Sequence, residues 1–130
     1  MLPFQVALKP GLPVSEQILY AVKKAVVGGQ MKAGDRFPSV RQMSQELRIN
    51  PNTAHKVVAA LVQEGVLEVM PGIGTVVAAP SGSSEKDQTA LLQEELERVA
   101  VEAKALGLDL NQVVESLKKH WNRLKKEGKP

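Results

Sequence analysis

The stretch Ser39-Val-Arg-Gln-Met-Ser-Gln-Glu-Leu-Arg-Ile-Asn-Pro-Asn-Thr-Ala-His-Lys56 decides how this chain folds. It holds two helix starts separated by one tight turn. Ser39 can accept from the amide three residues on, and Gln42 can reach back, which is the pattern of a capping box. Met43 and Leu47 then lie four residues apart, on one helical face. Arg48-Ile-Asn50 turns the chain. Asn50 caps the next helix, and Pro51 takes its first position, where a missing N–H costs nothing. Ala54, Val57, Val58, Leu61 and Val62 form the buried stripe of that helix, and Gly65 ends it.

Upstream, Ser15 is expected to cap a helix carrying Ile18, Leu19, Val22, Ala25 and Val26, with Gly28-Gly29 closing it. Lys32-Ala-Gly-Asp35 is a turn. Downstream, Val66–Met70 and Thr75–Val77 are short β-rich runs joined by Pro71-Gly-Ile-Gly74, a hairpin signal. Helices joined by a tight turn and followed by a hairpin describe a winged helix-turn-helix, expected over residues 1–79.

Ala78-Ala-Pro-Ser-Gly-Ser-Ser84 is small, polar and broken by Pro and Gly, so residues 80–84 read as a linker. Residues 85–130 read as two helices. Ser84 with Asp87 is expected to cap the first, which carries Leu91, Leu92, Leu96, Val99, Ala103 and Leu106 up to Gly107. Asp109 with Gln112 caps the second, which carries Val113, Val114, Leu117, Trp121 and Leu124. Such a hairpin has too little surface to bury both stripes within itself, and a second copy of the chain is the simplest cover. Leu92, Leu96, Val99, Leu106, Val113, Leu117 and Trp121 are the expected dimer interface. The fold class is therefore mostly α with a small β-hairpin: a winged helix-turn-helix domain followed by a two-helix dimerisation hairpin.

Composition narrows the chemistry. The 130 residues include no cysteine, which excludes disulfides, thiolate metal sites and cysteine nucleophiles. His55 and His120 stand far apart without a carboxylate pattern, so no metal site and no catalytic residue is expected, and no cofactor is implied. No run of eighteen apolar residues exists, so no membrane partner is expected. The first residues lack the cationic and apolar runs of a signal peptide. A cysteine-free chain fits a reducing compartment, and a cytoplasmic location is expected. Seventeen Lys and Arg against fourteen Asp and Glu leave a net charge of +3, all of it before residue 81. A positive module suits a polyanion.

The helix starting at Pro51 turns Asn52, Thr53, His55 and Lys56 outward in its first turns, where a recognition helix meets base edges. Asn and Thr can hydrogen-bond bases or phosphates, and Lys supplies charge. Asn50 is first a cap, and the free amides around it can also hold a phosphate. Arg41, which solvent or Glu46 would otherwise satisfy, is placed to meet the DNA backbone or groove. Gly72 and Gly74 let the hairpin tip approach a duplex closely.

Gly34-Asp-Arg-Phe-Pro-Ser-Val-Arg-Gln-Met43, Ile49-Asn-Pro-Asn-Thr53, Leu61-Val-Gln-Glu-Gly-Val-Leu67 and Gly72-Ile-Gly-Thr-Val76, in that order, resemble the DNA-binding domain of the GntR family of bacterial repressors. The short two-helix tail resembles the YtrA-like subfamily. The resemblance implies a homodimeric transcriptional repressor on a palindromic double-stranded operator. It implies DNA contact by Arg41, by Asn50, Asn52 and Thr53, and by Gly72 in the minor groove. His55 sits at a variable outward position. Lys56 stands where the family commonly has Arg, keeping the charge without the bidentate fork. Phe37 stands where Leu is usual, a change that should touch packing only.

Rival readings belong to other classes. A winged-helix protein-interaction module would show apolar residues where Asn52, Thr53 and Lys56 stand. A ligand-responsive sensor would hold a small-molecule effector between the tail helices, whose stripes contain no polar cluster. The run Lys118–Lys126 reads as a solvated face whose last lysines complement a helix C-terminus. Gly72-Ile-Gly74 lacks the strand–helix setting of a phosphate-binding loop, so an enzyme is not expected.

Overall fold

The computed structural model describes residues 1–79 and 85–127, which form two compact units, one on either side of residues 80–84. The expected linker and the Ser84 cap lie outside the described residues. The first unit holds helices α1 (Val14–Val27), α2 (Val40–Leu47) and α3 (Pro51–Gln63), then strands β1 (Leu67–Met70) and β2 (Gly74–Val77). The second holds α4 (Glu85–Ala105) and α5 (Leu110–Glu127).

Helix α3 is the hub of the first unit, since α1, α2 and β1 all pack on it. Its buried residues Ala54, Val57 and Leu61 meet Ile18, Val22 and Ala25 of α1, Met43 of α2 and Leu67 of β1 in one apolar core. Burying a Leu or Ile side chain this fully contributes about 1.5–3 kcal/mol each, which fixes the angle at which α3 leaves the body. Strands β1 and β2 pair antiparallel, Leu67 against Val77 and Met70 against Gly74.

Local chemistry sets the element ends, with two departures from expectation. Helix α1 starts one residue before Ser15. Its N-cap is Pro13, with no side-chain cap bond, so Ser15 lies inside the first turn. Proline already holds φ at −58° there, and a preset backbone removes the need for a side-chain acceptor. The α2 cap is half a capping box: Ser39 Oγ accepts from the Gln42 amide at 3.0 Å. The Gln42 side chain instead donates to Glu46 Oε2 at 2.9 Å. Asn50 Oδ1 accepts from the Asn52 amide at 2.8 Å, and Pro51 follows at the first helical position, as expected. Asp109 and Gln112 form the full reciprocal box, at 2.8 and 2.9 Å.

Residues 34–37 add an edge that their sequence does not announce. Gly34 N–H donates to Val77 O, Val77 N–H to Asp35 O and Phe37 N–H to Thr75 O, all within 2.9 Å. The segment leading into α2 is thus laced to β2. Phe37 is buried, and its ring lies parallel to Phe4 with centroids 6.0 Å apart. Leu2, Phe4 and Val6 pack on the core, so the first residues belong to the domain.

In the second unit, Leu108 N–H reaches back to Ala103 O and Gly107 N–H to Lys104 O. With Gly107 at φ +78°, this closes α4 in a Schellman motif and reverses the chain into α5. Ala103 is buried, Val113, Val114 and Leu124 are half-buried, and Trp121 remains 67% exposed. No helix of the described residues is long and apolar enough to cross a membrane.

Candidate nucleic-acid interface

The two faces of α3 differ sharply. Ala54, Val57 and Leu61 have no exposed surface, whereas Asn52, His55 and Lys56 are exposed and Thr53 is half-buried. The apolar stripe seats the helix on the core and leaves the polar stripe on its outer side. Asn50 spends one side-chain oxygen on the cap and keeps its amide nitrogen available.

Arg41 lies in the first turn of α2 and is exposed. Glu46, five residues on, does not pair with it. The Glu46 carboxylate accepts from Gln42 and from the Met1 amine at 3.1 Å. The Gln42 hydrogen bond first, and the amine second, hold that carboxyl below its ordinary range. Among the described residues Arg41 makes no ion pair, so its guanidinium is left for an outside acceptor. Its backbone is fixed nonetheless, because Ser44 Oγ donates to Arg41 O at 3.0 Å.

The hairpin tip is a tight turn in which Ile73 N–H donates to Met70 O at 2.9 Å. Pro71 and Gly72 fill the two central positions, with Gly72 at φ +82°, the requirements of a type II turn. A Cβ on Gly72 would meet nothing within 4 Å, so the glycine serves the backbone conformation and leaves the tip slim. A groove of about 340 Å³ separates the wing from the start of α2. It is bordered by Arg36 and Ser39 on one element, Ile73 and Thr75 on another, and Val58 of α3.

The structure thus gathers Arg41, Asn50, Asn52, Thr53, His55, Lys56 and Gly72 within one unit, on its loops, helix starts and wing. Arg36 and Ile73, which border the groove between wing and α2, escaped the sequence reading. Arg36 sits in a stretch too short for periodicity, and Ile73 looked like part of a turn. Among the described residues, no group of three or more His, Asp or Glu side chains is placed to hold a metal.

The family model for bacterial regulatory proteins of the gntR family matches residues 14–77. The chain is 30% identical over 115 residues to the HTH-type transcriptional repressor YtrA of Bacillus subtilis, covering 88% of each chain. This chain belongs to the GntR family. It is a DNA-binding transcriptional regulator with the winged helix-turn-helix and two-helix tail seen in its relatives, which are regulators rather than enzymes. A solved structure described as a transcriptional antiterminator from Listeria monocytogenes superposes with a TM-score of 0.79 at 26% identity, covering 94% of this chain and 92% of that one. YtrA from Sulfolobus acidocaldarius shares the fold, with a TM-score of 0.58 at 24% identity over 92% and 97% of the two chains. These likenesses extend through the tail, so the GntR regulator has the short helical hairpin in common with them.

Proposed function

We propose that this GntR regulator is a homodimeric, sequence-specific repressor acting in the cytoplasm. Each copy lays α3 in the major groove of one half-site and its wing against the flanking minor groove. Asn52, Thr53, His55 and Lys56 face base edges and adjoining phosphates. Arg41 and the cap at Asn50 hold the backbone, and Gly72 lets the wing close in. Repression follows from occupying the promoter. The two-fold axis of a dimer implies a palindromic operator with half-sites about 34 Å apart.

The observation that carries this reading is the free polar stripe of α3 above a fully buried apolar one. An interaction module would present apolar side chains there. The dimer rests on the tail, where Leu92, Leu96, Val99, Leu106, Leu117 and Trp121 are all exposed in the single chain and Val113 is half-buried. So many exposed large apolar side chains on one helical hairpin favour an interface there. A groove of about 450 Å³ runs between α4 and α5, bordered by Leu96, Val99, Leu108, Val113 and Leu117. Those are largely the dimer residues, which makes a second copy the favoured occupant; a small apolar effector in the same groove is the second reading.

Selection of bound duplexes from a random pool tests the function. Convergence on an inverted repeat is expected. Recovery of unrelated sequences with no common half-site would overturn sequence-specific reading. A thermal-shift screen of apolar compounds addresses the second reading, since a bound effector raises the melting midpoint.

A further inference from the structure

The tip Met70-Pro-Gly-Ile-Gly74 carries no polar side chain, yet Ile73 is 48% and Met70 38% exposed. Singly exposed apolar side chains are common on protein surfaces, but these two stand on the element proposed to approach DNA, and turn formation does not account for them. The turn needs Pro71 and Gly72; nothing in it needs an isoleucine.

The groove beside the tip supplies the context. The major and minor grooves of a duplex are separated by one sugar–phosphate strand. If α3 enters the first and the wing the second, that strand must cross between them. The groove bordered by Arg36, Ser39, Thr75 and Val58 lies between the wing and the start of α2, with a cation and hydroxyls suited to a phosphate and with Ile73 on its wing side; in the proposed docking it is the place for that strand. Ile73 then sits past the strand, at the minor groove itself.

We infer that Ile73 is a specificity-determining residue, which selects A·T pairs beneath the wing by excluding the guanine amino group. This rests on the proposed docking of α3 and wing. In the minor groove A·T and T·A pairs show only acceptors, whereas G·C adds the N2 amino donor in the middle of the groove. An apolar side chain offers that donor no acceptor and would bury it unpaired, which costs binding. Against A·T the same side chain meets a smooth floor and sugar C–H groups. Apolar side chains do enter the minor groove in other DNA-binding proteins, there as wedges between base steps. Ile73 therefore acts by rejection, not by a hydrogen bond, and Arg36 steadies the strand that positions it.

The test uses the full chain and the duplex selected from the random pool, varying only the pairs under the wing. Binding is followed by fluorescence anisotropy at fixed salt. A·T and inosine·C are expected to bind alike, and G·C about tenfold more weakly. Inosine·C keeps the major-groove face of G·C and lacks only the amino group. Adding that group to A·T, as 2,6-diaminopurine·T, should weaken binding as G·C does. Ile73→Ala should bring all four duplexes together, with an unchanged circular dichroism spectrum. Equal binding of G·C and inosine·C by the unaltered chain overturns the inference without any variant. So does a difference that survives in Ile73→Ala. A pool that never converges overturns the proposed docking as well; one that converges while binding ignores the flank overturns this inference alone.

Discussion

Arg41 and Arg48 are both exposed, yet their backbones make opposite demands. Arg41 sits in ordinary helix with its guanidinium unpaired among the described residues. Arg41→Ala should therefore shift the thermal midpoint by no more than about 2–4 °C, since exposed substitutions away from special features change little. Operator affinity should fall by about tenfold or more, as expected for loss of a charged contact to DNA. A titration at fixed salt that finds equal affinity removes Arg41 from the interface. Arg48 closes α2 with φ 56° and ψ 50°, the left-handed region that costs an L-residue about 1–2 kcal/mol. Glycine there costs chain entropy of about 0.5–1 kcal/mol, so Arg48→Gly should be neutral to stabilising, by up to about 1 kcal/mol. Calorimetry checks the sign. The left-handed conformation of Arg48 is not legible in the sequence, because the Ser-to-Asn spacing around it demands a turn without specifying which residue goes left-handed.

At the scale of the element, α3 combines two duties at one residue. Asn50 caps the helix and adjoins the recognition surface. Asn50→Ala removes the cap and should cost about 1 kcal/mol of stability. Asn50→Asp keeps a cap acceptor but adds negative charge where phosphates are proposed. Its thermal midpoint should match the parent while DNA affinity drops. If both variants lose affinity only in proportion to stability, Asn50 is a cap and nothing more. Helix α3 itself was readable in advance: its cap, its proline and its apolar spacing agree with one another, and the element follows its propensities. The edge formed by residues 34–37 was not. Its bonds to β2 depend on where the wing lies after α3 has packed, a partner about forty residues away in sequence. The stacking of Phe4 on Phe37 is hidden for the same reason.

Across the whole molecule the two units divide the work. The net positive charge sits in the winged unit and the unpaired apolar surface in the tail. Truncation after Ala79 should give a folded monomer, because the winged unit holds its own core. Its operator binding should be far weaker, since two half-sites no longer share one binder. Sedimentation that finds the truncated chain still dimeric would move the interface out of the tail. Salt offers a second check. Phosphate contacts release counterions, so the logarithm of affinity should fall linearly with the logarithm of salt, with a slope of about −0.9 per contact. Arg41→Ala should make that slope shallower by about one.

The sequence alone determined the local events: helix starts at Asn50-Pro51 and Ser39, the turn at Gly72, the apolar stripes and the missing cysteines. Each is settled by a few neighbouring residues and their backbone preferences. Only the tertiary structure decided that Arg41 makes no ion pair among the described residues while Glu46 binds Gln42 and the Met1 amine. It alone brought Arg36, Thr75 and Ile73 to one groove, and left Trp121 uncovered. Those outcomes are distances between residues remote along the chain, and they exist only once the core around α3 has closed.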